Sequence, residues 1–528
     1  MHLTKTMEMI SKPFLLASLL PLLTWLLSRL LSASHRKNNA GGQGRRSIPS
    51  PPALPVVGHL HLLKKPLHHS LAALAKRYGG DDAGAGLLLL KFGSKPVVLV
   101  TSPAVAGECF TAHDVALADR PGLASRRLLT EDCPAIAMCN YGPLWRQLRR
   151  LATVHALCAH RLAATAAVRD AGARAMAASL WRRAAGAGVA AVPVPVKAAA
   201  YEFVVDVIMD VVAGEHMTEE QVRRFKEMTE AAFAAAGAAN RHDFLPALRL
   251  LDFGRTAKRL AAIAKARHRF GQSLIDDYRR RHPRFASELE TPRTVIGDLL
   301  RQQQEGSREP LDDVVIRSVC LSLLQAGTDT SSSTVEWAMA LLLSNLGVLK
   351  KATTEIHSVV GTSQLMNESD LARLPYLRCI ILETLRLKPL TPNHVPHEAS
   401  RDCVIAGHTV ARGAMVLVDV YSMQRDPTMW EDPEKFMPER FMDADEVDGD
   451  GGRFMMPFGL GRRKCPGEGL ALRTVGMALG VMLQCFEWSC VGEEVDLSEG
   501  SGLTMPMAVP LVALCQPRAE METLLRSL

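Results

Sequence analysis

The segment Phe458-Gly459-Leu460-Gly461-Arg462-Arg463-Lys464-Cys465-Pro466-Gly467 runs almost directly into an apolar helical pattern, GLALRTVGMALGVMLQC. A cysteine that serves as a thiolate ligand has to be held at a fixed height, with backbone N–H groups and positive charge nearby. Glycines at 459 and 461 permit a tight turn, three basic residues precede Cys465, and the N-terminus of the following helix favours an anion. A free cysteine is ordinarily a small core hydrophobe. Phe458, Gly461, a base at 463, Cys465 and Gly467 in this spacing, however, arise by chance only roughly 2 × 10⁻⁴ times in a chain of this composition.

Three other stretches carry possible chemistry. Glu383 and Arg386 stand at i and i+3 behind the apolar run Cys379-Ile-Ile-Leu382; such a pair is ordinarily a solvated salt bridge of little energetic weight. Gln325-Ala-Gly-Thr-Asp329-Thr330 puts poor helix formers inside a helix that the pattern predicts over Asp312 to Ser344, and a local bend or cap would account for them. Trp145 and Arg149, at i and i+4, share one face of a helix that a generic amphipathic reading also explains.

The pattern F-x-x-G-x-R-x-C-x-G resembles the haem-binding loop of the cytochrome P-450 family, and the resemblance extends from the Pro-rich segment near residue 50 to the C-terminal PRAE. It implies haem b, iron protoporphyrin IX, with Cys465 as axial ligand and Arg463 at a haem propionate. Trp145, Arg149 and, in Val395-Pro-His397-Glu, His397 would meet the same anionic end, and Phe458 would limit access to the sulfur. Glu383 and Arg386 become the E-x-x-R motif, completed by Arg440 of Phe436-Met-Pro-Glu-Arg440-Phe441 as a structural network bracing the loop. Asp329 and Thr330 become the catalytic acid–alcohol pair, at a local opening of the helix where O2 is handled. Because no flavin or nicotinamide domain is visible, electrons would come from an NADPH–cytochrome reductase, docking where Arg462 and Lys464 add positive charge. Finer matches, LPVVGHLHLL, CFEW and GLTMP, are similar to plant microsomal enzymes of the isoflavone 2'-hydroxylase-like group. Leu346 and Ala411 depart from the usual pattern without touching the inferred chemistry.

Composition supports one large folded unit. Of 528 residues 48% are hydrophobic and 22% charged, and no long linker interrupts the chain after about residue 56. Eleven scattered cysteines without a C-x-x-C pair argue against a disulfide framework and a structural zinc site. The net charge of +7 is local: residues 1–46 hold seven Lys/Arg against Glu8 alone, leaving 55 basic against 54 acidic residues in the remainder. That placement excludes a global-charge case for nucleic acid and points to membrane lipid. Residues 13–31, PFLLASLLPLLTWLLSRLL, would span about 28 Å as a helix, close to a bilayer's hydrocarbon thickness. No small-residue cleavage site follows; the chain turns basic instead, and the positive-inside rule places the bulk of the protein in the cytosol.

The sequence therefore predicts an anchor over 1–32, a basic and then Pro-rich hinge over 33–56, and a haem-thiolate monooxygenase domain over 57–528, single-pass in the endoplasmic reticulum membrane. The fold is expected to be mainly α with a minor β region, strands falling at Gly86 to Leu90 and Pro96 to Val100. The expected reaction inserts one oxygen atom from O2 into a small lipophilic substrate, a plant specialised metabolite or xenobiotic. Leu129 to Met138, Phe244 to Leu251, Ser322 to Thr330, Thr391 to Val395 and Leu503 to Met507 are expected to face it. Two alternatives stand beside this reading. One is a thiolate-haem isomerase or dehydratase of a peroxide, against which the Asp329-Thr330 pair counts. The other is a non-enzymatic haem-binding sensor or carrier, which would consume no oxygen when reductase is supplied.

Overall fold

The computed structural model describes residues 48–79, 86–131, 133–186, 191–236, 241–283, 294–306, 311–442 and 455–528; the expected anchor and the first part of the hinge lie outside them. The helices that position the site are α1 (Leu67–Tyr78), α2 (Pro143–Ala152), α3 (Val196–Ala213), α4 (Glu219–Ala236), α5 (Arg255–Arg281), α6 (Asp313–Leu343), α7 (Pro375–Leu387) and α8 (Glu468–Cys485). The strands are β1 (Leu87–Phe92), β2 (Lys95–Val100), β3 (Val192–Pro195), β4 (His397–Glu398), β5 (Met415–Val418), β6 (Phe486–Cys490) and β7 (Val512–Pro517), with a small hairpin of Cys403–Ile405 and His408–Val410. Helix dominates, and the first two strands fall where the alternation of turn and apolar residues puts them.

Four strands form a sheet in the order β1-β2-β5-β4. β1 and β2 are antiparallel, Leu87 opposite Val100, and β2 pairs in parallel with β5, Val97 opposite Met415. All four residues of β5 are buried, as expected for a strand covered on both faces. A second sheet, β3-β7-β6, ties the C-terminal strand to the start of α3.

The expected helix over Asp312 to Ser344 is α6. Asp312 caps it by accepting from the Val315 N–H at 2.9 Å, which satisfies one of the free N–H groups of the first turn. At 31 residues it is about 46 Å long and runs through the core. From Val315 to Leu343 it is buried except at Ser322, Leu323, Ala326, Gly327 and Thr330. Those positions, recurring three or four apart, form one open stripe on a single face. A Cβ on Gly327 would come within 2.6 Å of the Ile208 side chain of α3, so the missing side chain sets how closely α3 and α6 cross. The alanine-rich stretch from 159 to 186 is divided into two helices, Ala159–Ala164 and Ala166–Gly186. Thr165 leaves helical geometry and its hydroxyl bonds back to the Arg161 carbonyl at 2.9 Å, the competition with the backbone that threonine offers.

Candidate active site

The loop before α8 is built around two left-handed glycines, Gly459 at φ +75° and Gly461 at φ +64°. At Gly461 a Cβ would lie 2.6 Å from both the Asp114 carboxylate and the Phe110 carbonyl, so both the dihedral and the space require glycine. The turn is closed by the Cys465 N–H donating to the Phe458 carbonyl at 2.8 Å. The Cys465 side chain has open surface although protein surrounds it on most sides, so the thiol looks into a recess instead of bulk water. Burial pushes this thiol up, against the Gly467 N–H, Arg149 and Lys464, which pull it down. Burial thus opposes the loop's cations and helix terminus at Cys465, and a bound metal would add positive charge on their side. Arg462 and Lys464 are not free charges: Arg462 pairs with Asp114 at 2.9 Å and Lys464 with Glu468 at 2.8 Å.

The expected anionic end is a cluster of cations. Trp145 and Arg149 both come from α2, which Pro143 starts at a position where its missing N–H costs nothing. The Arg463 guanidinium sits 4.6 Å from the centre of the Trp145 ring and that of Arg149 lies 5.8 Å from it. Arg463 donates to the carbonyls of Ala118, Ile136 and Cys139 at 2.6 to 3.2 Å. The buried Trp145 indole N–H has no hydrogen-bond partner. Arg120 completes the group and escaped the sequence reading; its only local signal is an arginine before a proline in Ala118-Asp-Arg120-Pro121. It is buried and donates to the carbonyls of Ala137, Val395 and Pro396. Burial, reinforced by the charges of Arg463 and Arg126, holds Arg120 well below the usual arginine range, and burial brings Arg463 to about 10. His397, its Nδ1 2.7 Å from the Leu117 carbonyl, is kept neutral by burial first and by Arg120 second. Among the described residues none of Arg120, Arg149 and Arg463 is in an ion pair. Unpaired buried cations are costly, and an iron porphyrin with two carboxylates, its iron at the Cys465 sulfur, is the kind of group that would offset them.

On α6 the chain stays helical through Gly327, Thr328, Asp329 and Thr330, where the resemblance led us to expect a local opening. The hydroxyls of Thr328, Thr330, Ser332 and Thr334 each return to the carbonyl four residues back, Thr330 to Ala326 at 2.7 Å. Thr330 lies on the open stripe, whereas the neighbouring Asp329 is turned into the protein. Its carboxylate accepts from Lys197 Nζ of α3 at 2.9 Å and from the Thr504 hydroxyl at 3.2 Å. Neither partner was legible in sequence. Segment 129–138 is joined to α6 by the Ile136 N–H on Ser322 Oγ at 3.1 Å, and through Arg267, which donates to Gln325 and to the Leu129 carbonyl. Segment 503–507 is joined to it by Thr504 and by the Trp337 indole on the Met505 carbonyl at 2.9 Å. Phe244 packs on Phe92 of β1 instead.

Glu383, Arg386 and Arg440 meet as expected. Arg386 grips both carboxylate oxygens at 2.7 and 2.8 Å, Arg440 adds a contact at 3.1 Å, and the Met437 N–H donates at 2.9 Å. The remaining guanidinium donors reach the carbonyls of Gln424, Pro433, Lys435, Glu431 and Asp432. Gln424 carries this order to the cysteine loop. Its amide donates to the Leu385 and Arg386 carbonyls and its oxygen accepts from the Met456 N–H, while the Met456 carbonyl accepts from the Gly459 N–H.

Comparison with known proteins accords with this geometry. The cytochrome P450 family model matches residues 48–511. Cytochrome P450 81Q32 of Catharanthus roseus is 40% identical over 94% of this chain and 97% of its own length. (+)-Piperitol/(+)-sesamin synthase CYP81Q2 of Sesamum radiatum is 39% identical over 95% and 96%, and an isoflavone 2'-hydroxylase of Glycyrrhiza echinata 35% over 89% and 92%. In fold, a zebra fish cytochrome P450 structure with progesterone superimposes with a TM-score of 0.70 at 24% identity, covering 86% of this chain and all of that one. A match running from the hinge to β7, shared with relatives aligned over nearly their whole length, means that this chain belongs to the cytochrome P450 family.

Proposed function

We propose that this P450 monooxygenase uses haem b to oxygenate a small lipophilic specialised metabolite of the phenolic, lignan- or isoflavone-like kind, at the endoplasmic reticulum membrane, with electrons from an NADPH–cytochrome reductase. The family implies a haem-iron cofactor and an external source of electrons. The substrate class rests on the names of the plant relatives, among them a sesamin synthase and isoflavone hydroxylases. When bound, the haem supplies the iron at which O2 is reduced and split, one oxygen atom going to the substrate.

The protein's share is to hold and to deliver. Cys465 Sγ would hold the iron, and Phe458, whose carbonyl closes the turn by accepting from the Cys465 N–H, would limit access to the sulfur. Arg149, the Trp145 indole N–H and Arg463 hold the two carboxylates, whereas neutral His397 uses its one N–H on the Leu117 carbonyl and packs beside them without donating. Asp329 and Thr330 move protons: Lys197 holds the Asp329 carboxylate in place by a hydrogen bond, and Thr330 Oγ1 offers the open stripe a hydroxyl that already donates to Ala326. The observation that carries this reading is the Cys465 recess beside buried Arg120 and half-buried Arg149 and Arg463, none of them in an ion pair among the described residues. Thr330→Val keeps side-chain volume and removes the hydroxyl. In membranes containing reductase, product formed per NADPH consumed should fall at least about threefold with peroxide rising to match, and haem content should stay unchanged. Unaltered coupling would remove Thr330 from proton transfer.

The membrane part rests on residues 13–31 and on exposed apolar side chains, Leu54 and Val56 of the hinge with Leu251 and Phe253 after helix Ala247–Leu251. These two regions both meet the β1–β2 turn. Gly93 donates to the Val57 carbonyl, and a Cβ on it would strike the Phe244 carbonyl. Deleting residues 1–32 should release most of the protein from alkaline-washed membranes while haem loading persists; full retention would sink the single-anchor reading.

A further inference from the structure

At the start of α1, His68 and His69 both turn toward Glu499, some 430 residues further along the chain. Nε2 of His68 lies 2.8 Å and Nε2 of His69 2.7 Å from the same carboxylate oxygen, Oε2. One imidazole would suffice for an ordinary ion pair. Here two consecutive rings, 4.5 Å apart and edge to face, leave their separate helical directions to reach one atom.

We propose that His68, His69 and Glu499 form a binding site for a divalent transition cation of the zinc class. Two imidazole nitrogens and one carboxylate oxygen are the mixed nitrogen–oxygen donor set such ions take. The three donor atoms lie within 4.8 Å of one another. Ligand atoms about 2.1 Å from a tetrahedral ion are about 3.4 Å apart, so a small widening of the present contacts admits one. On binding, each ring proton moves to Nδ1 and Nε2 gives its lone pair to the metal. His68 is buried, which holds its ring in place against the site. The His69 side chain is 48% exposed and provides the route to solvent and room for water as fourth ligand.

The groups facing the site set its strength. Lys388 Nζ holds the other carboxylate oxygen at 2.5 Å and opposes the cation. Tyr421 stacks beside both rings, and Arg425 lies over Tyr421 with Glu434 as its own partner at 3.3 Å. The resulting ion would clamp α1, the first helix after the hinge, to the segment that carries Thr504.

The test uses full-length, haem-loaded protein in detergent, freed of metals by a chelator and titrated calorimetrically with Zn2+ while haem absorbance is recorded. One saturable equivalent is expected, together with a higher unfolding midpoint in Zn2+. His69→Ala, a substitution at a half-exposed position, should weaken binding at least about tenfold and abolish the midpoint shift, and the near-isosteric Glu499→Gln should do the same. Absence of saturable binding, or identical titrations for wild type and His69→Ala, overturns the proposal. Neither outcome bears on Cys465 or on the monooxygenase reading.

Discussion

In the Glu383–Arg386–Arg440 network two guanidiniums share a carboxylate, and the other donors of Arg386 end on backbone carbonyls. Around Trp145, by contrast, Arg120 and Arg463 end on carbonyls alone, Arg149 has only the face of an indole, and no carboxylate closes the set among the described residues. The same side chain thus appears in two electrical conditions inside one fold. Where its charge is cancelled, the cluster braces: through Gln424 and Met456 it reaches the turn that holds Cys465. Where the charge is left over, the fold keeps a demand for an anion, and the demand is what makes the cluster a place to bind something. Counting partners separates bracing from binding; counting arginines does not.

The contrast is most exposed to refutation at Glu383. Glu383→Gln keeps the shape but removes the charge partner of the buried Arg386 guanidinium, and loss of one partner of such a pair should cost about 3–5 kcal/mol. Chemical denaturation of the haem-loaded protein would read this as a large fall in the unfolding midpoint, or as failure to accumulate folded protein. A loss under about 1 kcal/mol would mean that the network is no more than a surface-type ion pair. A smaller effect of opposite kind is expected at Arg149. Arg149→Met removes a half-buried cation without a carboxylate partner, so stability of the haem-free chain should hold or rise slightly, while haem is lost to an acceptor such as apomyoglobin at least about tenfold faster. Equal haem retention in the variant would break the reading of this cluster as the anionic end.

These outcomes also mark what could be read before folding. Residues 458–467 were legible because each departs from what a helix or a core would choose, and left-handed glycines beside Cys465 leave few alternatives. α6 was legible within a residue at each end, since Asp312 and the apolar run set its limits. Lys197 and Thr504 were not, because their link to Asp329 spans 132 and 175 residues and neither side chain is unusual where it stands. Arg462 and Lys464 were misjudged for the same reason: a string of bases does not show that Asp114, far upstream, and Glu468, one turn on, neutralise them. Charge can be counted along a chain, but its cancellation is settled only by packing.

The segment from Leu497 to Met507 holds Lys388 through the Leu497 carbonyl and Glu499, caps Trp337 through Met505, and touches Asp329 through Thr504. A wall so occupied has little freedom to diversify. In a lineage that acquires new substrates by changing its side chains, Thr504 and Glu499 cannot drift with their neighbours without disturbing the acid or the fastening to α1. Half-buried Leu503 carries neither duty, so a change there leaves both contacts standing.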